Sequence, residues 1–235
     1  MSKSSFKFKQ FTIYHDKCAM KVGTDGVLLG AWAPVENAKR ILDVGTGTGL
    51  IALQLAQRNL LAEIVAIEID PVAAEQAAEN VSRSSWADRI NVECRDFRDY
   101  SPENKFDLIV SNPPYFIDAL KCPDEQRCTA RHTGSLNYAL LFQRSAHLLR
   151  EQGGISIIIP SEAEKAVMDA AWSHKFFPLH RLQVFTKPGK PCRRILLTFG
   201  FQEKKCIEEN LCIEVEHNEY TAEYIALTKD FYLKM

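Results

Sequence analysis

The chain has 235 residues, 46% hydrophobic and 10% aromatic, enough apolar material to bury the core of one domain. Lys and Arg number 29 against 30 Asp and Glu, a net charge of −1 that excludes a broadly basic nucleic-acid binder, so any such partner must be met by local patches. No apolar run approaches the roughly twenty residues of a membrane-crossing helix, the opening Met1-Ser2-Lys3 leads into lysines, and the seven cysteines form no C-x-x-C pair, so the expectation is a cytoplasmic protein without a metal site or a disulfide framework.

In chain order, Phe6-Lys7-Phe8-Lys9-Gln10-Phe11 comes first and alternates rings with charges. That pattern fits an edge strand with its phenylalanines inward, and it fits a strand offering Lys7 and Lys9 to phosphate. Thr24-Asp25 then precedes an apolar helical stretch that either residue can cap.

A strand over 40–44 runs into Asp43-Val44-Gly45-Thr46-Gly47-Thr48-Gly49, followed by a helix from Leu50 to Gln57. This is a strand, glycine loop and helix arranged for a ligand, the glycines allowing positive φ and close approach. Its G-x-G-x-G spacing differs from the G-x-G-x-x-G that sets a helix end against a pyrophosphate, and Asp43 would repel such an anion. The same carboxylate suits a cation such as S-adenosylmethionine, with its sulfonium and ammonium. The next strand, 64–68, ends in Glu68, a bidentate acceptor for ribose hydroxyls. Asp70-Pro71 reads as a helix cap with proline at the first helical position, opening a helix over Val72–Arg83. The strand at 90–94 leads to Asp96, an acceptor for an adenine amino group, and to Phe97, which packs either on that adenine or in the core.

The strand at 106–110 ends in Asn112-Pro113-Pro114-Tyr115. Two stiff prolines pre-set carbonyl directions, the Asn112 and Pro113 carbonyls can each accept one N–H of a planar amino group, and Tyr115 can stack on the ring carrying it. The alternative is a strand terminator with Tyr115 in the core. The stretch 117–135, which holds Arg131, has no apolar period and reads as a loop over the substrate. Helices at Tyr138–Leu149 and Glu162–Trp172 alternate with strands at 154–159, 180–186 and 194–201. Between the last two strands, Lys187-Pro188-Gly189-Lys190-Pro191-Cys192-Arg193-Arg194 is either a phosphate-contacting patch or a solvated hairpin loop. Because it is too short for a crossover helix, those strands should pair antiparallel. The expected architecture is α/β, seven strands, mostly parallel with an antiparallel last strand.

The series D-V-G-T-G-T-G, I-E-I-D, R-D-F and S-N-P-P-Y resembles the class I S-adenosylmethionine-dependent methyltransferases that modify amino groups, over about residues 20 to 200. The resemblance implies a Rossmann-like domain over 39–235, with an N-terminal extension, 1–38, packed on it. It implies Asp43, Gly45, Gly47, Glu68, Asp96 and Asn112 at the cofactor, with Asp25 and Phe97 as further candidates, and Asn112, Pro113, Pro114 and Tyr115 as the catalytic motif. The flanks Met20–Trp32 and Tyr220–Tyr232 resemble the bacterial enzymes that methylate the 6-amino group of an adenosine in the anticodon loop of valine tRNA. That implies a tRNA substrate, for which the charges give Lys7, Lys9, Arg131, Lys187, Lys190, Arg193 and Arg194 as candidate contacts; the expectation is a monomer with neither membrane nor obligate protein partner. The alternatives are a glutamine-amide methyltransferase for release factors, whose usual helical domain does not fit in the about forty residues before the loop, a guanine-amino ribosomal RNA methyltransferase, and a non-catalytic nucleotide-binding module.

Overall fold

The computed structural model of the protein describes residues 5–17, 21–114, 137–216 and 219–235. At its centre lie β3 (Arg40–Val44), β4 (Glu63–Glu68), β5 (Ile90–Cys94), β6 (Phe106–Ser111) and β7 (Leu149–Pro160), all mutually parallel. The sheet continues through β8 (Phe177–Phe185), β9 (Cys192–Gly200) and β10 (Ile207–Cys212), in the order β10-β8-β9-β7-β6-β3-β4-β5. Only β9 runs against the rest, antiparallel to both β7 and β8, as the short loop before it requires.

The sheet therefore has eight strands rather than seven. The additional one, β10, pairs parallel with β8 at the edge. Its Ile-Glu-Glu-Asn-Leu-Cys stretch carries four exposed residues in succession and lacks the apolar run that marks the buried strands.

The central strands bury both faces, which is why they read as continuous apolar runs. Ile41, Leu108 and Val110 face one core layer, with α1 (Thr24–Trp32), α2 (Leu50–Arg58) and the N-terminal residues Phe8, Phe11 and Ile13. Leu42, Val44, Phe106 and Ile109 face the other, covered by α4 (Tyr138–Leu148) and α5 (Glu164–Ser173). Between α2 and α4 in the chain, α3 (Pro71–Ser82) is capped by Asp70, whose side chain accepts from Val72 N with Pro71 at the first turn. The helix α1 is capped otherwise than expected: Gly23 takes the cap position without a side-chain bond, and Thr24 and Asp25 lie inside the helix.

At the N-terminus, β1 (Ser5–Lys7) and β2 (Thr12–Tyr14) form a hairpin, and Phe8 bridges to Tyr232. Phe8 and Phe11 are buried and stack at 4.7 Å, so these rings face inward. The small strands β11 (Glu214–Glu216) and β12 (Glu219–Tyr220) and the helix α6 (Ala222–Thr228) complete the chain. Among the described residues no helix is long and apolar enough to cross a membrane.

Candidate functional site

In open parallel sheets ligands collect at the carboxyl ends of the strands, and the sequence motifs converge there. Gly45, Gly47 and Gly49 all have positive φ, of 71°, 57° and 80°. A Cβ at Gly45 or Gly47 would meet nothing within 4 Å, so backbone conformation alone demands glycine at these two positions, and the space beyond them is open to a ligand. Gly45 N and Thr46 N both donate to Ile67 O, at 2.9 and 3.0 Å, tying the loop to the end of β4.

Two carboxylates set the electrostatics of this loop. Asp43 is fully buried beneath it, one oxygen accepting from Thr46 Oγ1 at 2.6 Å and Ala52 N at 3.2 Å. Its other oxygen, Oδ1, is buried without a partner. Desolvation pushes the Asp43 pKa up to about 7, against the lowering effect of those two hydrogen bonds, and the charge of Glu68 adds to the rise. Glu68 accepts from Gly47 N at 2.9 Å on one oxygen and from Ile69 N and Asp70 N, at 2.8 and 3.1 Å, on the other. Three of about four lone-pair sites are so engaged, which fixes the carboxylate beside the loop.

The motif after β6 is held against the same loop. Val44 and Ser111 are register partners, and the buried Ser111 hydroxyl donates to Val44 O at 2.9 Å. Asn112 follows half-buried, then Pro113 buried and Pro114 exposed. Tyr115 and Arg131 lie outside the described residues.

Other candidates are placed differently. Asp96 follows β5 and accepts from Arg98, from the backbone N at 2.8 Å and the guanidinium Nε at 2.7 Å, a pairing that holds its carboxyl below the usual range. Phe97 is buried in the core with Val65 and Ile67, which leaves its ring almost no face for a ligand. Asp25 pairs with Arg194 at 2.8 Å, so each of these charges is directed at the other. Lys187 lies 3.6 Å from Glu214, and the Lys9 ammonium donates to Lys229 O at 2.6 Å, which fastens the C-terminal segment. Lys7, Lys190 and Arg193 are exposed. Among the described residues no group of three His, Cys, Asp or Glu is placed to hold a metal ion.

Sequence reasoning missed Thr46, Ser111 and Asn80. The first two sit inside the motifs, where no local pattern names a partner for their hydroxyls. Asn80, on α3, donates to Tyr14 O at 2.8 Å and Thr48 O at 2.9 Å and accepts from Tyr14 N at 2.9 Å, joining the N-terminal hairpin to the glycine loop. Its partners are 66 and 32 positions away, beyond the reach of any local signal.

The residues present fit S-adenosylmethionine. An open glycine loop with an unpartnered buried carboxylate oxygen behind it and a second carboxylate beside it complements a ligand that carries two positive centres. A mostly parallel sheet with one reversed strand, a glycine loop after β3, an acid ending β4 and Asn-Pro-Pro after β6 define a class I methyltransferase that takes S-adenosylmethionine as methyl donor. The model of the methyltransferase small domain matches residues 21–172. Relatives named tRNA1(Val) (adenine(37)-N6)-methyltransferase are 56% identical in Bacteroides fragilis and 54% in Bacteroides thetaiotaomicron, over all of both chains, and 44% in Yersinia pestis, over 97% of this chain and 93% of the relative. A solved chain described as a predicted O-methyltransferase from Agrobacterium tumefaciens shares the fold, with a TM-score of 0.70 at 20% identity, covering 88% of this chain and 96% of that one. The chain belongs to the methyltransferase small domain family and, within it, to the tRNA1(Val) (adenine(37)-N6)-methyltransferases.

Proposed function

We propose that the protein transfers a methyl group from S-adenosylmethionine to the 6-amino group of the adenosine beside the anticodon, adenosine 37, of a valine tRNA, and that it does so as a cytoplasmic monomer. The observation that carries this reading is the lock between Ser111 and Val44, which fixes Asn112-Pro113-Pro114 beside the glycine loop. The identity of 44–56% to relatives named for that reaction supports the choice of adenine over the guanine and glutamine-amide alternatives, and over a non-catalytic module.

When bound, S-adenosylmethionine would supply a methyl group on a positively charged sulfur that leaves as a neutral thioether, and the amino nitrogen that takes the methyl group would give up one of its two protons to water. Gly45 and Gly47 leave the donor room, while Asp43 and Glu68 supply compensating negative charge. An adenine amino group is a poor nucleophile because its lone pair is delocalised into the ring. The Asn112 side-chain carbonyl and the Pro113 carbonyl each accept one of its N–H groups, drawing the lone pair out of the plane and holding the nitrogen in line for attack. The stiffness of Pro113 and Pro114 keeps these acceptors aimed without reorganisation. The base must leave its stack to reach them, at a cost of at most a few kcal/mol from an unpaired loop. Of the basic loop, Lys190 and Arg193 are the charges available to the RNA backbone, because Lys187 and Arg194 face acidic partners.

The test is incubation with labelled S-adenosylmethionine and an unmodified valine tRNA transcript, beside a release factor, followed by digestion of the RNA to nucleosides. Label in 6-methyladenosine is expected. Label in the release factor alone, or in a guanine nucleoside, would overturn the assignment.

A further inference from the structure

At the carboxyl edge that carries the glycine loop and Asn112, the tip of the β8–β9 hairpin forms a basin of about 650 Å³, lined by Phe185, Lys187, Pro188, Lys190, Pro191 and Cys212. Its shape is set by a rigid turn. Lys190 N donates to Lys187 O at 3.2 Å and Gly189 has φ +72°, so with Pro188 in the second position this is a type II turn. Phe185 is half-buried at the end of β8, in register with Cys192 on one side and Cys212 on the other. The wall behind it is pinned, since Ile213 N and Glu214 N donate to the carbonyls of Phe185 and Thr186 at 2.9 and 3.0 Å.

The floor thus consists of an aromatic ring, two prolines and a thiol, without a charge, and the rim is cationic. Lys187 is drawn towards Glu214 at 3.6 Å. Lys190 is exposed and forms no ion pair among the described residues. An apolar, partly aromatic lining beside the unpaired charge of Lys190 matches a nucleobase with its phosphate, the combination by which single strands are bound without base-pair readout.

We infer that this basin is a second nucleotide site, which takes one unpaired base of the tRNA strand that runs on from the methylated adenosine. The inference rests on the tRNA reading above and adds to it a position. From β6, which carries Asn112, the order β6-β7-β9-β8 spaces the basin three strands away. At about 4.8 Å per strand this is roughly 15 Å. Such a span corresponds to roughly four stacked nucleotides, and to fewer where the strand is splayed. Holding a flanking base there would fix the direction in which the strand crosses the catalytic motif.

The test uses the full chain and an anticodon stem-loop RNA whose nucleotides flanking the target are replaced one at a time by abasic residues. One position within four nucleotides of the target should raise KM about tenfold with kcat unchanged, the scale of removing one base-aromatic stack. Phe185→Leu keeps apolar volume but removes the aromatic face; it should raise KM for intact RNA by a similar factor and be indifferent to that abasic position. A 2-aminopurine placed there should lose fluorescence on binding the unmodified protein and not the variant. If no position matters, or if the Phe185→Leu and abasic effects multiply, the basin is not a nucleotide site although methylation itself proceeds. If the unaltered protein transfers no methyl group to intact valine tRNA, the tRNA reading fails instead and this inference falls with it.

Discussion

Asp25 Oδ2 lies 2.8 Å from Arg194 Nε, although 169 positions separate the two residues in the chain. In the sequence one is a helix cap or a further cofactor candidate and the other belongs to a loop that either contacts RNA or is simply solvated, whereas in the fold they fasten the first turn of α1 to the start of β9. Their side chains are 20% and 30% exposed, so the pair is partly shielded from water. Arg194→Ala and Asp25→Asn should each lower stability by about 1 kcal/mol, and the double variant by little more than either. Thermal unfolding of the four proteins measures this coupling, and additive losses would argue against it.

How much of this arrangement is legible in the sequence follows from the distance between partners. Asp43, Gly45, Gly47, Glu68 and Asn112 can be read because each lies inside a short motif at a strand end, where local pattern and chemistry coincide. The antiparallel β9 can be read because the short turn between Phe185 and Cys192 cannot cross a sheet. Strand β10 cannot, because its stability comes from pairing with β8 and not from its own polar residues. Asn80 and Thr48, Asp25 and Arg194, or Lys9 and Lys229 meet only through the tertiary fold, and Phe97 could be placed in the core only once its neighbours Val65 and Ile67 were known.

Asp43 makes stability depend on pH in an unusual direction. Its folded pKa, about 7, lies above its ordinary 3.8, so the folded chain binds this proton more tightly than the unfolded one. The stabilisation from this group is full below about pH 4 and is lost as pH rises through 7. In the absence of cofactor, Tm relative to that of Asp43→Asn should therefore fall by several degrees between pH 5 and pH 8. A constant difference across that range would show that Asp43 is ionised at both pH values. Because a cationic ligand favours the ionised form, the Tm increase produced by S-adenosylmethionine should be larger at pH 8 than at pH 5 in the unaltered protein.

Lys190 and Arg193 should carry the salt dependence of RNA binding. Replacing both with Ala should raise KM for tRNA and reduce the slope of log affinity against log salt by about 0.7 for each phosphate no longer neutralised. Lys187→Ala should change the slope less, because that ammonium already faces Glu214 at 3.6 Å. Filter binding at several salt concentrations distinguishes these outcomes, and equal slopes for all the variants would remove the loop from the interface.

Asn112 and Ser111 contribute at different levels, and kinetics can separate them. Asn112→Ala deletes an acceptor that gains strength only as the amino nitrogen pyramidalises, so kcat should fall about 100-fold or more while cofactor affinity, measured by calorimetry, is retained. Ser111→Ala leaves that acceptor in place but frees the end of β6 from Val44 O, a fully buried bond of 2.9 Å. Its expected cost is about 1 kcal/mol of stability and roughly a tenfold loss in kcat, with KM for S-adenosylmethionine little changed. Ser111→Thr retains the hydroxyl and should restore most of the rate if the buried end of β6 accommodates one methyl group. If Ser111→Ala turns over as fast as the unaltered protein, the alignment of Asn112 derives from the prolines alone. If Asn112→Ala does, the amino group is oriented by something other than the Asn-Pro-Pro motif.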